Sequence, residues 1–346
     1  MRRILVTGAL GQIGSELAPA LRARHGVERV VSSDLAGLAP RPPAADGPYE
    51  RLDCTKLEDI RSAMRRHDIG EIYHLVAVLS AVAESDPERA WRVNIETLHN
   101  VLIAAREFSG RVFFPSSIAA FGPSTPRVGA PQVTVQRPST MYGVTKVAGE
   151  LLCDYYATHF GVDARGLRLP GLVSYVAQPG GGTTDYAVEM LRAAALGERY
   201  SCFLAPKTQL DMMYMPDAVA AIIQLMETDP ARLKHRNAYN VTAMSVTPAE
   251  LAAQIRQRAP HFVVDYRVDP LRQSIADSWP QSLDASAARR DWGFAPRFGL
   301  AAMTEDMLCR LGARVDESKG PRRHGGTADA ERKITRSARG ATCRAR

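Results

Sequence analysis

In the first half of the chain, stretches with the apolar spacing of strands alternate with stretches that have the apolar spacing of helices. Short apolar runs predict buried strands at RRILVTG, VERVVSSD, GEIYHLVAV, GRVFFPSS and DARGLRLPGLV. Apolar residues at helical spacing predict helices at QIGSELAPALRARHG, EDIRSAMRRHD, ERAWRVNIETLHNVLIAAREF and GVTKVAGELLCDYYATHFG. This strict alternation of strand and helix predicts an α/β fold, a Rossmann-type doubly wound parallel sheet with helices on both faces.

The pattern becomes less regular after about residue 170. Helices are predicted at GGGTTDYAVEMLRAAALG, DAVAAIIQLME and TPAELAAQIRQRAP, the last with Thr247 at its N-cap. We expect residues 1–170 to form a nucleotide-binding Rossmann domain, with later strands contributed from 171–245. Residues 171–313 are then the smaller, C-terminal substrate-binding part.

Composition is that of an ordinary globular protein, with 45% hydrophobic and 23% charged residues among 346. No apolar run approaches the roughly 18 residues that a membrane span needs, and the basic start MRR leads directly into a predicted strand. We therefore expect a cytoplasmic protein with no membrane partner. The cysteines are scattered, form no C-x-x-C pair and predict neither disulfides nor a metal site; they are Cys54, Cys153, Cys202, Cys309 and Cys343.

The net charge of +7 is concentrated at the C-terminal end. Residues 314–346 contain ten Lys and Arg against four Asp and Glu, which leaves 34 basic and 33 acidic residues in the rest. This segment has few aromatic or large aliphatic residues, so we predict a basic, disordered tail. A solvated end is favoured over an arm for nucleic acid or an acidic partner, and no nucleic-acid partner is expected.

The stretch TGALGQIG places Gly8, Gly11 and Gly14 directly after a predicted strand and at the start of a helix. Such glycines permit a tight turn, a close approach of the backbone to a pyrophosphate, and close helix packing. Asp34 closes the second strand, where a carboxylate accepts hydrogen bonds from ribose hydroxyls and repels a 2′-phosphate. The pattern predicts NAD rather than NADP; the alternative is a chance glycine turn with Asp34 capping a helix.

Further cofactor contacts are predicted at the ends of the other strands. Asp53 is placed to meet the adenine ring, although a cap for the next helix explains it nearly as well. Leu75 and Ala77 should pass under the pyrophosphate and ribose, whereas His74 is interpreted as a core histidine. The remaining predicted cofactor contacts are Leu10, Gln12, Ile13, Leu35, Cys54, Asn94 and Leu172.

Tyr142 and Lys146 stand at i and i+4 near the start of a predicted helix, so both side chains point the same way. A neighbouring ammonium favours the phenolate, which would let Tyr142 take a proton from a substrate hydroxyl while hydride leaves the same carbon. Lys146 can also hold the nicotinamide ribose. Ser117 is favoured over Ser116 as the hydroxyl that orients the reacting oxygen, and Ser116 is interpreted as structural.

Four of these features, TGALGQIG, Asp34, PSSIAAFG and YGVTK, together resemble the extended short-chain dehydrogenases/reductases over roughly residues 3–312. Further stretches are similar to the L-threonine 3-dehydrogenases of that superfamily: PSSIAAFGP, RPSTMYGVTK, QPGGGTTDYAV, MMYMPDAVAA and IADSWPQSLDASAARRDWGF. The resemblance implies NAD-dependent oxidation of the β-hydroxyl of L-threonine to 2-amino-3-oxobutyrate. It also implies a homodimer packed through two long helices of each subunit.

By the same resemblance, Tyr142, Lys146 and Ser117 form the catalytic set. The residues that hold threonine are then Ser80, Ser117, Tyr142, Thr183, Thr184 and Asp185. Glycines entering a helix at Thr183 are expected to offer amides to the substrate carboxylate, with Asp185 available for its ammonium. The alternatives are a nucleotide-sugar epimerase or dehydratase, and a non-catalytic NAD-sensing protein.

Overall fold

The computed structural model describes residues 2–36, 46–178, 180–236 and 238–318, the side chains of 313–318 excepted. The strands are β1 (Arg3–Thr7), β2 (Val30–Asp34), β3 (Tyr49–Arg51), β4 (Ile69–His74), β5 (Arg111–Ser117), β6 (Asp163–Leu169), β7 (Gly171–Val173), β8 (Tyr200–Cys202), β9 (Leu210–Tyr214), β10 (Tyr239–Asn240), β11 (Met244–Val246) and β12 (Val264–Tyr266). The helices are α1 (Gly14–His25), α2 (Leu57–His67), α3 (Ser80–Ser85), α4 (Pro87–Trp91), α5 (Thr97–Glu107), α6 (Met141–Phe160), α7 (Tyr186–Leu196), α8 (Met215–Glu227), α9 (Pro248–Arg256), α10 (Pro270–Asp277), α11 (Ser286–Trp292) and α12 (Leu300–Ser318).

Seven strands of the described residues form one parallel sheet in the order β10-β6-β5-β4-β1-β2-β3. The strand order reverses between β1 and β4, where the chain leaves β1 for one side and later returns to the other. In open parallel sheets this switch point opens a crevice at the carboxyl ends of the strands, and ligands bind there. The predicted Rossmann-type doubly wound sheet is confirmed.

The two faces of this sheet are covered by different helices because side chains alternate along each strand. Ile4 and Val6 of β1 pack in one cluster with Leu17 of α1 and Ile222 of α8. Leu5 points to the opposite face, where residues of α2, α5 and α6 form a second cluster. Both faces are therefore buried, as the almost continuous apolar runs of these strands require.

The structure differs from the sequence prediction at three element boundaries. The strand predicted at GEIYHLVAV ends at His74, and the following residues form the loop that lines the crevice. The strand predicted at DARGLRLPGLV is divided at Pro170, which has no N–H for a ladder, into β6 of the large sheet and β7 of a three-stranded sheet. A π-helical turn at Arg92–Glu96 divides the long predicted helix into α4 and α5.

The C-terminal part contains the small sheets β11-β9-β7 and β12-β8. Buried residues of α7, α9 and α12, among them Leu191, Ile255 and Met307, form its core. The predicted cap at Thr247 is confirmed: its hydroxyl accepts from the Glu250 N–H at 3.2 Å, and the Glu250 carboxylate accepts from the Thr247 N–H at 2.9 Å. β10 lies at the edge of the large sheet, so the later chain contributes one strand to it.

α12 continues to Ser318, so residues 314–318 of the predicted disordered tail are helical. The rest of that prediction falls on residues 319–346, which lie outside the described residues, as does Cys343. Cys54, Cys153 and Cys202 are buried. Within the ranges that the structure describes, no helix combines the length and apolarity needed to cross a membrane.

Candidate active site

The glycine loop lies at the switch point and brings the start of α1 against the loop that follows β4. Gly8 has a φ of +69°, and a Cβ there would stand 3.1 Å from the backbone of Leu75 and Val76. A Cβ on Gly14 would lie 2.4 Å from the Gly8 carbonyl oxygen. The N–H groups of Ser15 and Leu17 in the first turn of α1 donate to the carbonyls of Gly11 and Ile13, so the glycine loop runs directly into the helix. This geometry fits a pyrophosphate at the helix N-terminus.

Asp34 is held beside this loop at the end of β2. Its carboxylate accepts from the Leu10 N–H at 3.1 Å and from the Ala36 N–H at 3.4 Å. It borders a cavity of about 250 Å³ that contains predicted cofactor residues, namely Gly8, Gly11, Asp34, Leu35, Asp53, Cys54, Leu75 and Ala77. A carboxylate in this position accepts from ribose hydroxyls and opposes a 2′-phosphate. The cavity therefore fits the adenosine end of NAD.

Asp53 lies in this cavity and does not cap α2, whose N-cap residue is Lys56. Its carboxylate accepts from the Thr55 N–H at 3.0 Å and from the Thr55 hydroxyl at 2.6 Å, an Asx turn. Cys54 beside it is buried, and burial raises the pKa of its thiol to about 12. The thiol is thus protonated and contributes an apolar wall rather than a nucleophile.

A groove of about 640 Å³ continues from the glycine loop toward the catalytic residues. Predicted residues along it are Gly8, Leu10, Gly11, Gln12, Ile13, Gly14, Leu75 and Ala77. Sequence reasoning missed other residues of this groove, including Val78, Val82, Arg89, Val176, Ala177 and Gln178. Arg89 is the one cation among these, and nothing in its sequence context separates it from a solvent-facing helical arginine.

Asn94 does not line these cavities but holds the loop that does. It lies in the π-helical turn, where its side chain accepts from the Val78 N–H at 2.7 Å and donates to the Val78 carbonyl at 3.2 Å. It also donates to the Thr145 hydroxyl at 3.0 Å, which connects the loop to α6. Asn94 therefore supports the loop that lines the cofactor groove, and its contact with the cofactor stays a prediction.

His74 is a core histidine, as the sequence analysis interpreted it. One ring nitrogen is 2.9 Å from the Thr7 hydroxyl and the other is 3.0 Å from the Thr97 hydroxyl. Burial, with a smaller effect of Lys146, lowers the pKa of the imidazole to about 3. The ring is neutral at physiological pH and satisfied on both sides, so it neither transfers protons nor adds charge to the site.

Tyr142, Lys146 and Ser117 meet at one end of a cavity of about 120 Å³. The Ser117 hydroxyl lies close enough to Tyr142 to lower the pKa of its phenol. The Lys146 ammonium lies 5.2 Å from the centre of the Tyr142 ring and donates to the Pro115 carbonyl at 2.7 Å. Leu172 lines the same cavity, and its carbonyl accepts from the Gln12 amide at 3.4 Å. Predicted catalytic and nicotinamide-end residues are therefore adjacent.

The pKa of Tyr142 differs from the sequence expectation. Burial raises it to about 12, against a smaller lowering by the Ser117 hydrogen bond. Burial also lowers the pKa of Lys146 to about 8, while the Glu150 carboxylate opposes this change. The sequence analysis considered only the attraction between ammonium and phenolate, whereas removing both groups from water disfavours each charge. Tyrosinate with protonated lysine is consequently the minor form of the pair.

The β5–β6 register explains why Ser117 and not Ser116 faces Tyr142. Ser116 lies opposite Arg168 and Ser117 lies opposite Leu169, so the two serines point to opposite faces. The Ser116 hydroxyl donates to Glu150, away from the cavity. Ser117 is thereby left on the side of the reacting groups.

The predicted threonine-binding residues line the other end of the same cavity. The Ser80 and Thr183 hydroxyls are 3.1 Å apart, and the Ser80 hydroxyl accepts from the Thr183 N–H at 3.2 Å. Thr184 also lines the cavity, next to Gly171, where a Cβ would lie 2.7 Å from its methyl carbon. The absence of a side chain at Gly171 thus leaves room for the Thr184 side chain at the cavity wall.

The glycine amides before α7 are not free to bind a substrate carboxylate, contrary to the expectation from sequence. The N–H groups of Gly181 and Gly182 donate to the Asp185 carboxylate at 2.8 and 2.7 Å. Asp185 is buried, and burial raises the pKa of its carboxyl although the two amides oppose this. The anion that these glycines hold is therefore a side chain of the same segment.

Trp279 lines the cavity, and the sequence analysis assigned it no role. Its indole nitrogen is buried and lacks a hydrogen-bond partner among the described residues. Its place in the stretch IADSWPQSLD could have indicated a site residue, but a tryptophan there is equally typical of a buried core. Elsewhere in the same described ranges, no group of three or more His, Cys, Asp or Glu side chains is arranged to hold a metal ion.

The family of the chain follows from comparison with known proteins. The model of the NAD dependent epimerase/dehydratase family matches residues 4–242, and the chain belongs to this family. Its cofactor is NAD, which the glycine loop, Asp34 and the continuous crevice fit. An uncharacterized epimerase/dehydratase of Staphylococcus haemolyticus is 50% identical over 308 residues, which cover 89% of this chain and 97% of that relative.

Several solved structures similar to this chain are L-threonine dehydrogenases. That of Clostridium difficile has a TM-score of 0.88 and 51% identity, covering 91% of this chain and 98% of that one. The holo form of the Cupriavidus necator enzyme has a TM-score of 0.87 and 48% identity, with coverage of 89% and 99%. A monomeric L-threonine 3-dehydrogenase from a metagenome has a TM-score of 0.87 and 42% identity, with coverage of 90% and 99%.

Proposed function

We propose that this protein oxidises the β-hydroxyl of L-threonine to give 2-amino-3-oxobutyrate with NAD as the oxidant. The observation that carries the proposal is the cavity in which Tyr142 and Ser117 stand at one end and Ser80, Thr183 and Asp185 at the other. Its volume of about 120 Å³ matches a small amino acid better than a nucleotide sugar. The similarity to solved L-threonine dehydrogenases supports the same substrate.

In this reaction the Tyr142 phenolate is the base that takes the proton of the β-hydroxyl. Ser117, which lines the same cavity and lowers the pKa of Tyr142, holds the same substrate oxygen in line for that transfer. Lys146 keeps an ammonium 5.2 Å from the phenol ring and so stabilises the negative charge as it forms. NAD⁺, when bound, accepts the hydride that leaves the β-carbon.

The far end of the cavity recognises the amino-acid part of the substrate. The buried hydroxyls of Ser80 and Thr183 are donors suited to a carboxylate, and the unpartnered indole N–H of Trp279 is a third. Asp185 accepts two amides and retains acceptor capacity for the substrate ammonium. The cavity therefore offers donors for the carboxylate of a zwitterionic substrate and an acceptor for its ammonium.

The proposal is tested by incubating purified protein with NAD⁺ and candidate substrates while NADH absorbance is recorded. We expect NADH with L-threonine, much less with L-serine, which lacks the methyl group, and none with UDP-glucose. L-allo-threonine, which has the opposite configuration at the β-carbon, is the matched control for hydroxyl placement. Absence of threonine-dependent NADH from folded, NAD-binding protein would refute the assignment.

We further propose that residues 1–170 bind NAD, that 171–313 bind the substrate, and that the active form is a homodimer packed through α5 and α6. Large apolar side chains are exposed on α6 and the adjoining α4; they are Trp91, Val144, Leu151, Tyr155 and Phe160. Sedimentation should give a dimer that Leu151→Asp dissociates, while Leu271→Asp on exposed α10 leaves it intact. A monomer, as described for the metagenomic enzyme, would contradict this proposal.

A further inference from the structure

A third ionisable residue continues the line of Tyr142 and Lys146 along α6. Glu150 follows Lys146 by four residues, so the three side chains lie on one stripe of the helix. Glu150 is 1% exposed, and it does not line the active-site cavity. A carboxylate buried one turn behind a catalytic lysine is costly unless it is compensated, and the reaction as described above does not use it.

Hydrogen-bond donors from three residues offset the cost of burying the Glu150 carboxylate. Arg168 donates to its two carboxylate oxygens at 2.9 and 2.7 Å, as a bidentate ion pair. Gln136 donates to it at 2.9 Å, and the Ser116 hydroxyl donates to it as well. Four donors on one carboxylate fix its position and offset the cost of its burial.

The sheet register holds this pair rigidly. Ser116, Arg168 and Asn240 are direct neighbours on β5, β6 and β10, so their side chains share one face. Arg168 also donates to the Asn240 side chain at 3.1 Å and to the Gln132 carbonyl at 2.8 Å. The arginine is thereby held by Gln132 and Asn240 as well as by Glu150.

The Lys146 ammonium has few other charges near it. Its contacts are the Pro115 carbonyl and the rings of Phe114 and Tyr142. Other titratable side chains packed around it from β4, α6 and the cavity are His74, Tyr142, Glu150 and Asp185. His74 is neutral. The Glu150 carboxylate raises the pKa of Lys146 and so opposes the effect of burial.

We propose that Glu150, held by Arg168, Ser116 and Gln136, is a positioning residue whose charge keeps Lys146 protonated next to Tyr142. The inference rests on the proposed function for its catalytic consequence, although the ionisation of Lys146 is measurable without substrate. Burial alone would leave the amine increasingly neutral. A neutral amine cannot stabilise the phenolate on which proton removal from the substrate depends.

The test compares two substitutions of Glu150. Glu150→Gln keeps the side-chain shape and removes the charge, whereas Glu150→Asp keeps the charge and shortens the side chain. The chain contains only six lysines, so ¹³C-lysine labelling and NMR titration resolve Lys146 once Lys146→Met has assigned its signal. The same variants are assayed for threonine-dependent NADH formation against pH.

We expect Lys146 in Glu150→Gln to titrate about one pH unit lower than in the wild type, because an opposite charge is lost. The break between the rising limb and the plateau of the activity profile should move by the same amount, and the turnover plateau should fall about tenfold as the phenolate–ammonium form becomes rarer. Glu150→Asp should titrate as the wild type does. An unchanged Lys146 titration in Glu150→Gln would overturn the proposal, as would equal shifts in both variants.

Two outcomes outside these are also decisive. If Glu150→Gln does not fold because Arg168 is left unpaired, the double variant Glu150→Gln/Arg168→Gln removes the pair together and is held to the same criterion. If the wild type forms no NADH with threonine while Lys146 titrates as expected, the proposed function fails and the inference about Glu150 stands.

Discussion

The pH dependence of turnover is the sharpest consequence of the Tyr142–Lys146 geometry. Burial gives the two groups pKa values of about 12 and about 8, so the fully protonated pair loses its first proton near pH 8. The form that reacts, tyrosinate with ammonium, has the same proton count as the neutral pair, and its population follows the same titration. Below about pH 8 the rate should therefore rise about tenfold per pH unit, and above it the rate should level off.

The assay is initial NADH formation at saturating threonine and NAD⁺ between pH 6 and 10. A control incubation at each pH, returned to pH 8 before assay, separates titration from irreversible unfolding. The reasoning depends on burial disfavouring the charge of each group. A rate that is flat from pH 6 to 8 would show that the phenol already ionises at lower pH, and would refute it. A rate that falls steeply between pH 8 and 9 would do so as well.

Three further predictions concern single residues. Tyr142→Phe should reduce turnover about 10²–10⁴-fold because the base is lost, with NAD⁺ affinity and the activity of the control Tyr266→Phe retained. Asp34→Ala should weaken NAD⁺ binding about 10–100-fold and reduce its preference over NADP⁺; an unchanged preference in fluorescence titrations would contradict the role of this carboxylate. Trp279→Phe should raise KM for threonine about tenfold, whereas Trp292→Phe, which removes another buried unpartnered N–H, should not.

The large sheet was predictable because the spacing of apolar residues along the sequence depends directly on which side chains are buried. Strands covered on both faces, such as Arg3–Thr7 and Arg111–Ser117, appear as continuous apolar runs bounded by turn residues. The division of DARGLRLPGLV between two sheets was harder to predict, because a proline at a strand end and a proline at a sheet change look alike. The π-helical turn at Arg92–Glu96 has no pattern of its own, since its side chains keep an approximately helical spacing.

Parts of the site could not be predicted because they depend on distant segments. The glycine amides before α7 were expected to bind the substrate carboxylate, but the folded loop shows that the Asp185 side chain occupies them. The pKa of Tyr142 was predicted in the wrong direction, and the lowered pKa of Lys146 was not predicted, because burial is invisible in a four-residue spacing. Glu150 is visible in sequence as the next residue of the stripe, yet its partner Arg168 comes from β6.

The most direct test of the central claim uses L-threonine that carries deuterium at the β-carbon. Incubation with the protein and NAD⁺, followed by mass spectrometry of the reduced cofactor, reports whether that hydrogen is the one transferred. We expect one deuterium in each NADH formed and a slower rate if hydride transfer limits turnover. Reduced cofactor without deuterium, or none at all from an NAD-binding protein, would contradict it.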